Sequence, residues 1–431
     1  MAPSNTTTNG KSNGDEPQDD TLSSCLLFEP PITTGNISLP GLHFIANHKY
    51  RPGDYTHLDN LLNPVWNYLT ELLPLWLAPN MVTTLGGLHC GVAYGLLWWH
   101  TPDFDVNPPD WVICFAGWCT IAYYTLDCMD GKQARRTGSS SPLGQLFDHG
   151  FDCICTLFFV STVGSYLLIG GTTWIIVLQT SIQFSFFMAQ WEEYHTHVLP
   201  HCTGKWCGVT EVNYSLGIFA FINSCLDRVA FYQRPMEVVL VNLLGDSTVL
   251  QRLPTELREM ELRYFLVACW GIMLSVLMFL SLKRVLLHPH IANSSLLPGE
   301  VRRRRLTAVS KLASPFALCV AAVLVPPDAV RTRYLSVTLG LAFSLLTKKM
   351  IVFSMAKMAF AVVQWDAVPI ILVALWIRFD QRLSKMGADF VLGVLCFWYA
   401  FRMLRWVNVS INQICNKLDI YCFRLKKRKE D

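Results

Sequence analysis

The sequence predicts an all-α polytopic membrane protein with about ten transmembrane helices, preceded by an N-terminal interfacial amphipathic helix. Three observations carry this prediction. Hydrophobic residues make up 52% of the 431 residues, charged residues make up only 16%, and the mean hydropathy is +0.32. Because a soluble protein usually has about 25% charged residues, much of the surface of this chain is expected to face lipid.

The same composition excludes several classes of function. The net charge is only +3, and no basic patch is interleaved with aromatic side chains, so nucleic acid is not an expected partner. The 15 cysteines are scattered along the chain without the paired spacings of zinc ribbons or disulfide frameworks. Membrane lipids are therefore the first expected partner.

The chain begins with a polar segment. Residues 1–42 are rich in Ser, Thr, Asn and Asp, which predicts a disordered cytosolic tail. After it, apolar residues recur at helical spacing between polar ones at Leu58, Leu62, Val65, Leu69 and Leu72. This pattern predicts a helix in the membrane interface, and a helix packed on the cytosolic face of the protein is an equal alternative.

The rest of the chain supplies the predicted spans. A membrane-crossing helix needs about 20 mainly apolar residues. Ten such stretches can be placed at 80–99, 110–131, 143–166, 171–191, 211–228, 262–283, 307–326, 334–355, 359–378 and 387–408. An even number of spans puts both termini on one side of the membrane. That side also holds most of the basic short loops, which predicts that it is the cytosol.

One segment concentrates acidic residues at span ends, LDCMDGKQARRTGSSSPLGQLFDHGFDC. Asp127 and Asp130 end one apolar stretch, and Asp148 and Asp152 begin the next. Spacings of three and four place each pair on one helix face. Four clustered carboxylates repel one another unless a cation neutralises them, and oxygen ligands favour Mg²⁺ or Mn²⁺ over zinc.

The spacing of this segment carries a family resemblance. Asp127-x2-Asp130-Gly131-x2-Ala134-Arg135-x8-Gly144-x3-Asp148-x3-Asp152 resembles the signature of the CDP-alcohol phosphotransferase family. The longer run DGKQARRT…SSSPLGQLFDHG, with WLAPN ending at Asn80, is similar to the eukaryotic choline/ethanolamine phosphotransferase branch. The likeness is strong over about 45–215.

The resemblance implies a site and its ligands. It implies two divalent ions, Mg²⁺ or Mn²⁺, held by Asp127, Asp130, Asp148 and Asp152 across the pyrophosphate of a CDP-alcohol. It implies that Asn80, Gly131 and Ala134 border the cytidine nucleotide, and that Arg135, with Lys132 and Arg136, faces the phosphates. Diacylglycerol would be the acceptor, and a homodimer is an open expectation. Four regions follow: the tail 1–42, a catalytic core 43–230, C-terminal transmembrane helices 231–408 and a basic cytosolic tail 409–431.

Two residues compete for the role of general base. Asp152 matches the family position usually given that role, but a carboxylate that holds a cation is a weaker base. His149 stands beside Asp148, and an imidazole has an ordinary pKa of about 6.5, which suits work at neutral pH. We favour His149, and a packing or ligand-orienting histidine remains the alternative.

Short motifs outside the acidic segment, and the C-terminal lysines, bear on the substrate and the location. YTLD, PDW and WEEYHT look more like ethanolamine enzymes, whereas GVTE looks more like choline or dual-specificity enzymes, so CDP-ethanolamine is favoured over CDP-choline. Glu192, Glu193 and Glu211 could receive the ammonium group, with an aromatic face from Trp191 or Tyr194, and ordinary pairing with Lys205 or lipid headgroups is an equal alternative. The C-terminal lysines resemble a retrieval signal, which predicts an endoplasmic reticulum or Golgi membrane with the active site facing the cytosol. A cation-coupled transporter or an inactive scaffold is the competing class.

Overall fold

The structure is a computed structural model that describes residues 26–28, 35–244, 254–293, 295–380 and 382–426. Most of the predicted N-terminal tail and the last five residues, with the lysines of the predicted retrieval signal, lie outside these ranges. The final part of the predicted tail is described. Its residues 39–42 begin the first helix, and the Ser38 side chain caps that helix by accepting from the backbone N–H of Gly41.

Helices account for all the regular secondary structure of these residues, apart from isolated β-bridges. The first group comprises α1 (Leu39–Ala46), α2 (His57–Glu71), α3 (Pro79–His100), α4 (Asp110–Thr137), α5 (Pro142–Leu167), α6 (Thr173–Thr196) and α7 (Val209–Asn223). The second group comprises α8 (Arg228–Tyr232), α9 (Met236–Leu244), α10 (Thr255–Glu259), α11 (Leu262–Leu287), α12 (Pro298–Ser310), α13 (Ala313–Val323), α14 (Thr332–Met355), a 3₁₀ turn (Trp365–Ala367), α15 (Val368–Phe379) and α16 (Lys385–Leu418).

The all-helical prediction is confirmed, but the structure does not establish ten spans. Helices lie at all ten predicted positions. Within the described ranges, α4, α5, α11, α14 and α16 are long and apolar enough to cross a membrane, and the α12–α13 pair, bent by 42°, would be a sixth crossing if it is one broken span. At 15 and 12 residues, α7 and α15 are shorter than the roughly 20 residues that a bilayer requires.

Helix α2 forms where the amphipathic pattern predicts a helix. Thr56 and Asp59 make a capping box, in which each side chain accepts from the other residue's backbone N–H. Trp66 and Thr70 are buried against the protein, whereas Val65 and Leu72 are exposed. Exposed apolar side chains on a helix with a buried opposite face suit the predicted interfacial location, which stays a prediction.

The core is built around α14. This helix is buried along almost its whole length and packs against α5, α6 and α16. Its contact with α5 is close at Gly340, because a Cβ at that position would lie 2.1 Å from Leu157 Cδ2. In contrast, only 17% of the most apolar stretch of α11 is buried, so α11 lies at the periphery with its apolar side chains available to lipid.

Candidate active site

The site is positioned by a tight reversal between α4 and α5. Helix α4 ends at Gly138, which adopts φ 65°, and the backbone N–H of Ser139 donates to the carbonyl of Ala134 at 2.9 Å. Helix α5 begins after Ser141, whose hydroxyl accepts from the backbone N–H of Gly144. The short connection brings the last turns of α4 alongside the first turns of α5.

Three of the four predicted metal ligands come together at this reversal. Asp127, Asp148 and Asp152 each place a carboxylate oxygen within 4.8 Å of the others. Asp127 Oδ1 and Asp148 Oδ1 are buried and have no hydrogen-bond partner. Like charges this close repel, and buried oxygens need partners. A divalent cation bound by these carboxylate oxygens would relieve the repulsion and serve as their partner.

The fourth acid, Asp130, lies outside that group of three. It is buried and accepts a hydrogen bond from the hydroxyl of Thr83 on α3. Asp152 has a comparable partner, since the Tyr123 hydroxyl donates to its Oδ1. The two hydroxyl groups orient their carboxylates, as the outer partners of metal ligands commonly do. The ligand role of Asp130 stays a prediction.

His149 lies at the edge of the cluster. Its Nε2 is 3.8 Å from Asp148 Oδ2, and its buried Nδ1 has no hydrogen-bond partner. The ring of Tyr50, from the segment between α1 and α2, meets the imidazole edge-on at 5.7 Å. The imidazole is therefore held beside a carboxylate of the cluster and retains an unused nitrogen.

The residues expected at the nucleotide differ in how they are engaged. Asn80 is buried and its amide donates to the carbonyl of Cys422 at 2.9 Å. Gly131 has open space beside it: among the described residues, the side-chain atom within 4 Å of where a Cβ would lie is Arg135 Nη1, at 3.7 Å. Arg135 is exposed, and Ala134 is half-buried one helical turn beyond Gly131.

Two other basic side chains of this segment turn towards α2. Lys132 donates to the side-chain oxygens of Asn63 and Asn67, the latter at 2.8 Å. Arg136 donates to three carbonyls at the end of α2, including Leu73 O at 2.6 Å. Both cations thus anchor α2 to α4, and the structure does not direct either of them at the acidic cluster.

A cavity of about 290 Å³ extends from Asp127 and Asp152. Its walls are side chains of α4, α5, α6, α7 and α11 and of the loop before α7, and most of them are apolar, including Phe159, Ile182, Phe186, Leu216, Leu274 and Met278. Near the α11 wall, Arg284 donates to both oxygens of Glu192 at 2.5 and 2.8 Å. Glu192 is therefore already paired, which argues against the ammonium-binding role considered for it.

Sequence reasoning missed several of these side chains. Tyr123 precedes Asp127 by four residues, so helical spacing could have placed its hydroxyl on the face of the acids. No sequence signal joins Thr83, Tyr50 or Arg284 to the site, because each comes from a segment far along the chain.

Known proteins resemble this chain over nearly its whole length. The model of the family described as CDP-alcohol phosphatidyltransferase matches residues 76–242. Ethanolaminephosphotransferase 1 of Pongo abelii is 30% identical over 403 residues, covering 89% of this chain and 93% of that protein. Choline/ethanolaminephosphotransferase 2 of Arabidopsis thaliana is 28% identical, covering 92% and 100%. Cholinephosphotransferase 1 of Saccharomyces cerevisiae is 27% identical, covering 94% and 99%.

Proposed function

The chain belongs to the CDP-alcohol phosphatidyltransferase family and is an enzyme of its choline/ethanolamine phosphotransferase branch, and from this premise we propose that it transfers phosphoethanolamine from CDP-ethanolamine to diacylglycerol. The products are phosphatidylethanolamine and CMP. It is thus a membrane transferase of phospholipid synthesis. The resemblance seen in the sequence is confirmed, whereas the choice of alcohol is our proposal.

One observation supports this function above the others. Three half-buried carboxylates lie together, and two of them, Asp127 and Asp152, line a largely apolar cavity whose outer wall is the lipid-facing helix α11. An acceptor with two acyl chains is insoluble in water, so it must approach from the bilayer. The cavity would hold the acyl chains near the bilayer and bring the free hydroxyl of the glycerol to Asp127 and Asp152.

The carboxylates fit the metal ions that the family uses. Asp127, Asp148 and Asp152, with Asp130 as the proposed fourth ligand, would hold Mg²⁺ or Mn²⁺, two ions in our proposal. Bound there, the ions would stabilise the charge on the attacking and leaving oxygens of a phosphoryl transfer. The hydroxyls of Tyr123 and Thr83 keep Asp152 and Asp130 in place for that task.

The nucleotide would lie on the other side of the acids. We assign the phosphates to Arg135, an exposed guanidinium beside the open space at Gly131, and the cytidine to the edge formed by Asn80, Gly131 and Ala134. The hydrogen bonds of Lys132 with α2 would have to break before its ammonium could reach a phosphate. Arg135 is therefore the main phosphate contact in this proposal.

His149 is our proposed general base. Its position beside Asp148 and its unused nitrogen allow it to accept the proton of the acceptor hydroxyl. The alternative base, Asp152, has one oxygen occupied by the Tyr123 hydroxyl and is also a proposed metal ligand. Proton transfer and ion binding would then be divided between neighbouring residues of α5.

The remaining proposals concern topology and assembly. The basic residues of the predicted cytosolic loops support an active site that faces the cytosol, in an endoplasmic reticulum or Golgi membrane. The division into a catalytic core at 43–230 and C-terminal transmembrane helices at 231–408 is likewise a proposal from the sequence pattern. A homodimer remains an expectation from the family.

Purified full-length protein in lipid nanodiscs tests the proposed reaction. Diacylglycerol, Mg²⁺ or Mn²⁺, and either CDP-ethanolamine or CDP-choline would be supplied, and CMP and phospholipid would be measured. We expect both products, with a higher kcat/KM for CDP-ethanolamine. Preference for CDP-choline would replace the assigned alcohol, and the absence of CMP release with every combination would overturn the enzymatic proposal in favour of a transporter or scaffold.

A further inference from the structure

A second polar cluster lies beside the acidic site, between the start of α5 and the end of α6. Its centre is Glu193, whose side chain is buried. Gln145 Nε2 donates to Glu193 Oε1 at 2.8 Å, and Gln145 Oε1 lies 2.8 Å from His48 Nε2. The second carboxylate oxygen, Glu193 Oε2, is buried and has no hydrogen-bond partner.

This unpartnered oxygen distinguishes Glu193 from its neighbour in sequence. Glu192 is paired with Arg284 through both of its oxygens. Within the described ranges, no Lys or Arg forms an ion pair with Glu193. Burying a carboxylate with one amide partner is costly, and among the described residues the one nearby group whose positive charge acts on Glu193 is the imidazole of His197, so a cationic ligand would stabilise this carboxylate.

The cluster is close to the reaction centre. Gln145, which holds Glu193, precedes Asp148 by three residues on α5, so the two lie on the same face, roughly 4.5 Å apart along the helix axis. Tyr50 lies near both groups: its ring contacts His149, and the charge of Glu193 acts on its hydroxyl, which lies 2.6 Å from His201 Nε2. Burial and the nearby charges of Glu193, Asp148 and Asp152 raise the pKa of Tyr50, so its hydroxyl stays neutral.

We propose that Glu193, together with the ring of Tyr50, forms the subsite that binds the ammonium group of the CDP-alcohol. This inference rests on the proposed function and names the determinant of its substrate class. The spacer between the phosphate and the nitrogen has only two carbons, so the ammonium must bind beside the acids that hold the pyrophosphate, and Gln145, which holds Glu193, shares a helix face with Asp148. A primary ammonium can donate to Glu193 Oε2, and an aromatic face can attract a primary or a quaternary ammonium.

The test compares a charged substrate with a neutral one of the same shape. CDP-propanol replaces the ammonium of CDP-ethanolamine by a methyl group and keeps every other atom of the nucleotide. For the full-length enzyme in nanodiscs with diacylglycerol and Mn²⁺, kcat/KM would be measured with both substrates. The ratio of the two values reports on recognition of the ammonium, whereas the value for CDP-propanol reports on the remaining machinery.

We expect Glu193→Gln to lower this ratio by about 10- to 100-fold, since a hydrogen bond to a charged group is lost, and to change kcat/KM for CDP-propanol by less than about threefold. Glu300→Gln is the matched control, because Glu300 pairs with Arg304 on α12, away from the site, and it should leave the ratio unchanged. CMP-dependent thermal stabilisation verifies that each variant is folded.

If Glu193→Gln does not fold, Glu193→Asp takes its place. This variant keeps the negative charge, but its side chain is shorter by one methylene, so the carboxylate lies farther from the ligand. It should lower the ratio by a smaller factor. An unchanged ratio in the folded variant overturns the proposal. A wild-type enzyme that turns over neither CDP-alcohol would instead refute the proposed function, and a wild-type ratio near one would refute the ammonium subsite alone.

Discussion

Two groups of charged residues in the described chain are assembled in opposite ways. At the α4–α5 reversal, Asp127, Asp148 and Asp152 bring together charges of one sign and leave buried oxygens without partners. Near the start of α15, a single carboxylate, Asp366, is bracketed by two cations. Lys349 Nζ lies 2.6 Å from Asp366 Oδ2, and Arg402 Nε lies 3.1 Å from Asp366 Oδ1.

The difference separates a site from a structural element. The Asp366 group supplies its own counter-charges and joins α14, the 3₁₀ turn and α16, so it requires nothing from outside the chain. Among the described residues, no Lys or Arg forms an ion pair with the acidic group, although the charge of the buried Lys348, whose ammonium lies 3.8 Å from Cys153 Sγ, acts on Asp152. The negative charge of the acidic group is therefore not balanced within the described chain, and a divalent cation would neutralise it.

Neutralising one acid in each group should give opposite results: in the acidic group turnover should be lost, and in the Asp366 group stability should be lost. The largest expected effect is the one on turnover. Asp127→Asn and Asp148→Asn should each abolish measurable turnover, because a metal ligand is lost. In a chelator their thermal unfolding midpoint should equal or exceed that of the wild type, because repulsion is relieved. Phospholipid synthesis and a melting curve would be measured on the same sample. Retained turnover in either variant would remove that residue from the ligand set.

The next prediction divides the roles of two α5 residues. His149→Ala should lower turnover by roughly 10²–10⁴-fold, the usual contribution of a general base, while binding of Mn²⁺ and CDP-alcohol stays nearly intact. Asp152→Ala should weaken both binding and turnover, because its carboxylate is also a proposed metal ligand. Single-turnover rates and equilibrium binding would be measured for each. Near-normal rates in His149→Ala would return the role of general base to Asp152.

The balanced group should respond in stability rather than in chemistry. Asp366→Asn leaves Lys349 and Arg402 without their shared carboxylate, and breaking a buried ion pair typically costs about 3–5 kcal/mol. We expect a lower unfolding midpoint, with kcat per folded molecule close to that of the wild type. Thermal melting and an active-fraction assay would be combined. A wild-type melting curve would show that this group is not structural.

The smallest expected effect is a stabilisation by metal. Mn²⁺ at about 100 times its dissociation constant should raise the free energy of unfolding of the wild type by about 2.7 kcal/mol, because only the folded state assembles the three carboxylates. A chelator should remove both this stabilisation and turnover. Asp127→Asn should show little stabilisation, while Asp366→Asn should keep most of it. Equal stabilisation of all three proteins would locate the metal elsewhere.

Much of the fold and part of the site follow from local patterns. The sequence predicts helices at ten positions and an amphipathic helix near residue 58, and all of them are present. A spacing of four places Asp148 and Asp152 on one face of α5, and the short loop brings α4 with Asp127 alongside it, so the acidic cluster is predictable without a structure. The number of crossings does not follow from local patterns, since apolar composition does not reveal where a helix ends or bends.

The sequence by itself thus determined the membrane class, the helices, the family and the acidic centre, because helical periodicity and a short connection act within a few turns of chain. Only the tertiary structure decided which distant groups complete that centre. It paired Glu192 with Arg284 and left Glu193 with an unpartnered oxygen, although the two are adjacent and identical in type. Adjacent positions on a helix point about 100° apart, so the neighbouring helices determine which carboxylate is neutralised and which remains available.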